Sequence, residues 1–188
     1  MDRNIFMERE RALEAAFFSR VDAELLAKLR KQLADEAARR ALASASGLKD
    51  EALLDELVQM GISPETLGSL WLAPLVLVAW ADRRVDEKER KVILDVAAEE
   101  GVQAGSPAYA LLEFWLDHEP TPEMLTTWSR FAQAVMEELT PDARETMRNS
   151  VLRQARRAAK ASGGILSGGK ISLQERKVLD EIEAALAS

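Results

Sequence analysis

The chain has 188 residues, no cysteine and a single histidine; it is 47% apolar and 30% charged, with a net charge of −7. Without cysteine there can be no disulfide, thiolate zinc centre, iron–sulfur cluster or cysteine nucleophile, and any histidine-based catalytic group must use His118. Aromatic residues are scarce at 5%, and the abundance of Ala, Leu, Glu, Arg and Lys favours helix in a chain long enough for one domain, or for one domain and an extension.

Residues 4–46 read as helix throughout, with Leu13, Phe17, Val21, Leu25, Leu29 and Leu33 on one stripe and no Gly or Pro before Gly47. Unbroken, such a helix spans about 65 Å, whereas a compact domain of this size has a radius of gyration of about 16 Å. It must therefore break or meet a partner, and Ser19 with Asp22 offers a capping pair for a break. We expect a division into an N-terminal helical extension, 1–46, and a helical domain, 47–188. The extension is expected to contact a protein partner or a second copy through residues 4–46.

Asp50 opens a short helix carrying Leu53, Leu54 and Leu57 that stops at Gly61. Ser63 followed by Pro64 resembles an N-cap and first helical position, which predicts a helix through Asp82, apolar on most sides from Leu70 on and therefore central. Pro74 should kink this helix or start it afresh. Its most apolar stretch, Leu70 to Ala81, is twelve residues long, too short for the roughly twenty that a membrane span requires. Asp86 with Glu89 forms a capping box for a helix to about Gly101, and Ser106–Pro107, Thr121–Pro122 and Thr140–Pro141 start three more. After a glycine-rich stretch, Ser162 to Lys170, Ser172 with Glu175 caps a final helix. No stretch alternates as a strand does, so the expected fold is an all-α multi-helix bundle. The opening residues Met1 to Arg11 are strongly charged and lack an apolar run, which argues against a secretory leader and for a cytoplasmic protein.

The chain repeats itself. Val85-Asp-Glu-Lys-Glu-Arg-Lys-Val-Ile93 is answered by Ile171-Ser-Leu-Gln-Glu-Arg-Lys-Val-Leu179 at an offset of 86 residues. In both, a β-branched residue sits just before the capping residue, where it can staple onto the first apolar position of the helix, so Val85 and Ile171 should be buried. The run Ala79-Trp80-Ala81-Asp82-Arg83-Arg84-Val85-Asp86-Glu87-Lys88-Glu89 resembles the motif A-x-A-D-G-x-[VI]-x-x-x-E of TerB-like domains, the helical family associated with tellurite resistance, in which it occurs twice. Residues 162–176 resemble the second copy, and the similarity covers about residues 70–187. The resemblance implies two related helical hairpins, a non-enzymatic interaction module and a stress-response setting. It also implies that Asp82, Asp86 and Glu89 are candidate ligands for a divalent cation.

The residues themselves weigh against that cation site. Asp86 and Glu89 are accounted for by the capping box, Arg83 replaces the motif's usual glycine, and a calcium loop ending at Glu89 would put Val78 and Trp80 where carboxylates belong. Gly164 to Lys170 spells G-x-x-x-x-G-K, but Ile171 stands where a phosphate loop needs Ser or Thr, and a helix rather than a strand precedes it. His118 lies in a polar turn between helices, paired with no nucleophile at a recognisable spacing, so no catalytic residue and no organic cofactor is assigned. Charge is uneven. Residues 47–138 hold 18 acidic and 7 basic residues, whereas 139–188 hold 6 acidic and 9 basic, with Arg144, Arg148, Arg153, Arg156, Arg157 and Lys160 in one helix. Such a basic face on an acidic chain points to an acidic surface of its own fold or of a protein partner, and against nucleic acid.

Overall fold

The structure, a computed structural model, describes Leu25, Lys28, residues 30–162 and residues 171–187. The proposed break at Ser19 and the glycine-rich stretch 163–170 lie outside the described residues. Secondary structure among the described residues is helical, without strand, and none of these helices is long and apolar enough to cross a membrane. The chain divides into two compact units, Met1–Arg40 and Ala41–Ser188. The boundary lies before Gly47 because Leu42 is fully buried in the core of the second unit, so residues 41–46 belong with the domain.

Of the first unit, Leu25, Lys28 and residues 30–40 are helical. Leu25 and Leu33 are 53% and 66% exposed, and Glu36 accepts a hydrogen bond from Arg40 one turn later.

The second unit begins with α1, residues 41–46, which ends where Gly47 takes a left-handed φ of 75° and its N–H donates to the Ala43 carbonyl. Helix α2, Glu51–Gln59, is capped by the Asp50 carboxylate, which accepts from Leu53 N at 3.1 Å, and it buries Leu53, Leu54 and Leu57.

The helix expected over 64–82 is four pieces instead. Residues 63–66 form a turn organised by Thr66, whose hydroxyl accepts from Ser63 N at 2.8 Å and donates to the Gly61 carbonyl at 3.0 Å. The Ser63 hydroxyl donates to Glu65 rather than capping a helix. A 3-10 helix, Leu67–Leu72, leads into α3, Ala73–Ala79, followed by a second 3-10 turn, Trp80–Asp82. Pro74 sits in the first turn of α3, where its missing N–H costs nothing; inside one continuous helix it would lose the bond to Leu70 and clash with that carbonyl. Helix α3 is nonetheless the centre of the unit. It buries every residue except Leu77 and packs against α4 to α8.

Around it run α4, Glu87–Glu99; α5, Pro107–Asp117; α6, Glu123–Glu138; α7, Pro141–Ser162; and α8, Leu173–Ala185. Four starts carry the expected caps: Asp86 and Ser172 form complete capping boxes, Ser106 accepts from Tyr109 N, and Thr140 accepts from Ala143 N at 3.4 Å. Thr121 makes no such cap; α6 starts at Glu123 with no side-chain bond to its first turn. Helix α7 crosses α3 and α4 through Val151, Leu152, Ala155, Ala158 and Ala159, and its alanines let the backbones approach closely. Val85 and Ile171 are only partly buried, each packed against the edge of the core beside its capping box.

Candidate functional site

The acidic turn between α3 and α4 was the principal sequence candidate, and each of its carboxylates has a local task. Asp82 accepts from Arg84 N at 3.3 Å, and its other oxygen lies 3.7 Å from the Arg84 guanidinium. Asp86 accepts from Lys88 N and Glu89 N at 2.8 and 2.9 Å, while Glu89 reaches back to accept from Asp86 N at 2.8 Å. Arg83 holds the left-handed conformation, φ 68°, which closes the turn where the motif usually has glycine.

Glu89 is more than a cap. Only 2% of it is exposed, and burial pushes its carboxyl up to about 7 against the opposing effect of the bond from Asp86 N. Repulsion from Asp86, Asp82 and Glu175 adds to the rise. Glu175 is the corresponding residue of the second capping box, 4% exposed, and accepts from Ser172 N at 2.6 Å. Thus α8, packed on α3 and on the 3-10 turn at Trp80–Asp82, brings the repeat's two N3 glutamates within electrostatic reach of each other. The repeat gives Glu89 and Glu175 the same place in their capping boxes, but their proximity follows from the packing of α8 and was not legible in the sequence. Among the described residues, no three His, Asp or Glu side chains are arranged to hold a metal ion.

His118 follows α5, its ring stacked on Phe114 at a centroid distance of 4.2 Å and its Nδ1 donating to the Phe114 carbonyl at 2.9 Å. It lines an open cleft of about 660 Å³ with Met60, Trp115, Glu119, Glu123 and Met124. Asp117 is turned away to pair with Arg90, so Asp117, His118 and Glu119 do not converge on one centre. The basic residues of α7 are largely engaged within the fold. Arg157 makes a bidentate pair with Glu99 at 2.6 and 3.0 Å, Arg148 and Arg156 both approach Glu183, and Arg144 donates to the carbonyls of Leu139 and Glu137.

Two features escaped the sequence. Arg130 joins α6 to α2 by pairing with Asp50 and Glu56, and Thr127 donates to the same Glu56. The second is an open, mainly apolar groove of about 540 Å³ flanked by α7, the 3-10 helix at Leu67–Leu72 and the end of α4. Ala143, Met147 and Val151, spaced four apart, supply its α7 wall, and Leu139, which precedes the helix, also lines it; the pattern is visible only once the neighbouring elements are known. No protein family, curated protein or solved structure matches this chain.

Proposed function

We propose that the chain is a non-enzymatic, TerB-like helical interaction module of the cytoplasm, acting through protein contacts made by residues 4–46 in a stress-response setting. The observation that carries this reading is the exposure of both Leu25 and Leu33, two positions of the apolar stripe read in the sequence, which a protein partner would cover. The module reading is supported by the acidic turn, where Asp86 and Glu89 serve as helix caps and Asp82 is held by Arg84, and by His118, whose ring is held by Phe114. The test is affinity capture with the full chain and with its Leu25→Ser/Leu33→Ser variant. Protein partners, or a second copy, should be retained by the former and lost by the latter; retention of the same proteins by both would remove the reading.

A second reading, a divalent-cation-responsive module, draws on the carboxylates of Asp82, Asp86 and Glu89, whose negative charges act on one another. It is the weaker one because capping already engages Asp86 and Glu89, and Arg84 lies against Asp82. Its test is a change of melting temperature with calcium or magnesium.

A further inference from the structure

The groove along α7 is matched in chemistry and charge by an element of the same chain. Trp71, Leu72, Val102, Leu139, Met147 and Val151 make it apolar. Along α7 it extends from Asp142 to Gln154, about 18 Å at the helical rise. Two elements contribute carboxylates to its lining: Glu100, at the end of α4, which accepts from Gln154 Nε2 and keeps its charge, and Asp142, in the first turn of α7.

Residues 25–33 are complementary. Leu25 and Leu33 are both exposed, and on the unbroken helix that the sequence predicts over 4–46 their spacing of eight positions puts them about 80° apart on one side and about 12 Å apart along the axis. Lys28 and Arg30 lie about 100° to either side of the line midway between them. The stripe is therefore a short apolar ridge with a cation on each flank, and the groove is a longer apolar trough with carboxylates in its lining. An amphipathic helix laid into such a trough buries its leucines and places its flanking charges against the rim.

We propose that the leucine stripe of one copy docks in the α7 groove of a second copy, its Lys28 and Arg30 set against the groove's carboxylates. Two such contacts related by a twofold axis close a dimer without leaving a stripe or groove open. The proposal rests on the reading of residues 4–46 as the contact element and adds the partner and its receptor.

The test uses full-length protein throughout, with mass by light scattering across a concentration series. The wild type should be a dimer. Leu25→Ser/Leu33→Ser should weaken dimerisation roughly tenfold or more, as loss of central apolar anchors does. Ala143→Arg, on the groove wall, should do the same; Thr146→Arg, at an exposed lining position, replaces it if the first fails to fold as judged by circular dichroism. Mixing the stripe variant with the groove variant should restore association, because one intact stripe then meets one intact groove. A monomeric wild type overturns the proposal, and partner capture then decides the contact reading independently. If the groove variants stay dimeric while the stripe variant is monomeric, the groove assignment falls and the role of 4–46 stands; if all remain dimeric, both fall.

Discussion

At the scale of single residues, two positions in the first capping turn depart from local preference, and each makes a measurable prediction. Arg83 sits in the left-handed region, which costs an L-residue about 1–2 kcal/mol. Glycine there removes that strain but adds about 0.5–1 kcal/mol of chain entropy to the unfolded state. Arg83→Gly should therefore stabilise by about 0.5–1 kcal/mol in urea unfolding, whereas the β-branched Arg83→Val should destabilise; a loss of stability in the glycine variant would show that the arginine side chain contributes more than its backbone costs. Glu89 makes the second prediction. Its ordinary pKa is 4.5 and burial pushes it to about 7, so the folded protein holds a proton that the unfolded chain has released. The associated stabilisation is fully present below about 4.5, falls as pH rises and is gone above about 7; the span is on the order of 3 kcal/mol. Stability should decline between pH 5 and 7.5 in the wild type. Glu89→Gln, which keeps an acceptor for Asp86 N, should flatten that decline, and an unchanged slope would sink the assignment.

At the scale of elements, the starts of helices were legible where the signal is confined to three residues. Asp50, Asp86, Ser106 and Ser172 each cap as their sequence predicts, because the accepting side chain and its N–H lie within one turn. The segment 63–82 was not legible in this way. Ser63–Pro64 carries the same local signature, but the Ser63 hydroxyl is drawn to Glu65 and Pro74 restarts the helix, so the competition between neighbouring local bonds decides the outcome. Nor could periodicity reveal that Glu175 comes within electrostatic reach of Glu89, since that follows from how α4 and α8 both pack against α3. Thr66 supplies the corresponding test. Thr66→Val keeps the shape but leaves the Ser63 N–H and Gly61 carbonyl without their partner at a mostly buried site, which should cost about 1–2 kcal/mol; Thr66→Ser should recover most of it. Equal stability of the valine and wild-type proteins in urea unfolding would mean that the turn is held by packing alone.

At the scale of the whole molecule, the question is whether the gathered carboxylates of the two capping turns act as a cation site, and global melting is the appropriate readout because α3, α4 and α8 belong to one continuous core. A ligand present at a hundred times its dissociation constant stabilises the native state by about 2.7 kcal/mol. In a chain of this length each kcal/mol moves the melting temperature by roughly 2–4 °C. A site with a dissociation constant near 10 μM would thus raise melting by roughly 5–10 °C at 1 mM calcium. We expect a shift under about 2 °C for calcium or magnesium, since a cation must displace the backbone N–H groups that Asp86 and Glu89 hold, compete with Arg84 for Asp82, and below about pH 7 also expel the proton from Glu89. Raising the pH to 8 removes only the last of these obstacles, so a shift that appears at pH 8 but not at pH 6 would assign cation binding to Glu89 and its neighbours. Asp82→Asn with Asp86→Asn is the control: a large calcium shift in the wild type that vanishes in this variant would make cation response the first reading of the turn and capping the second.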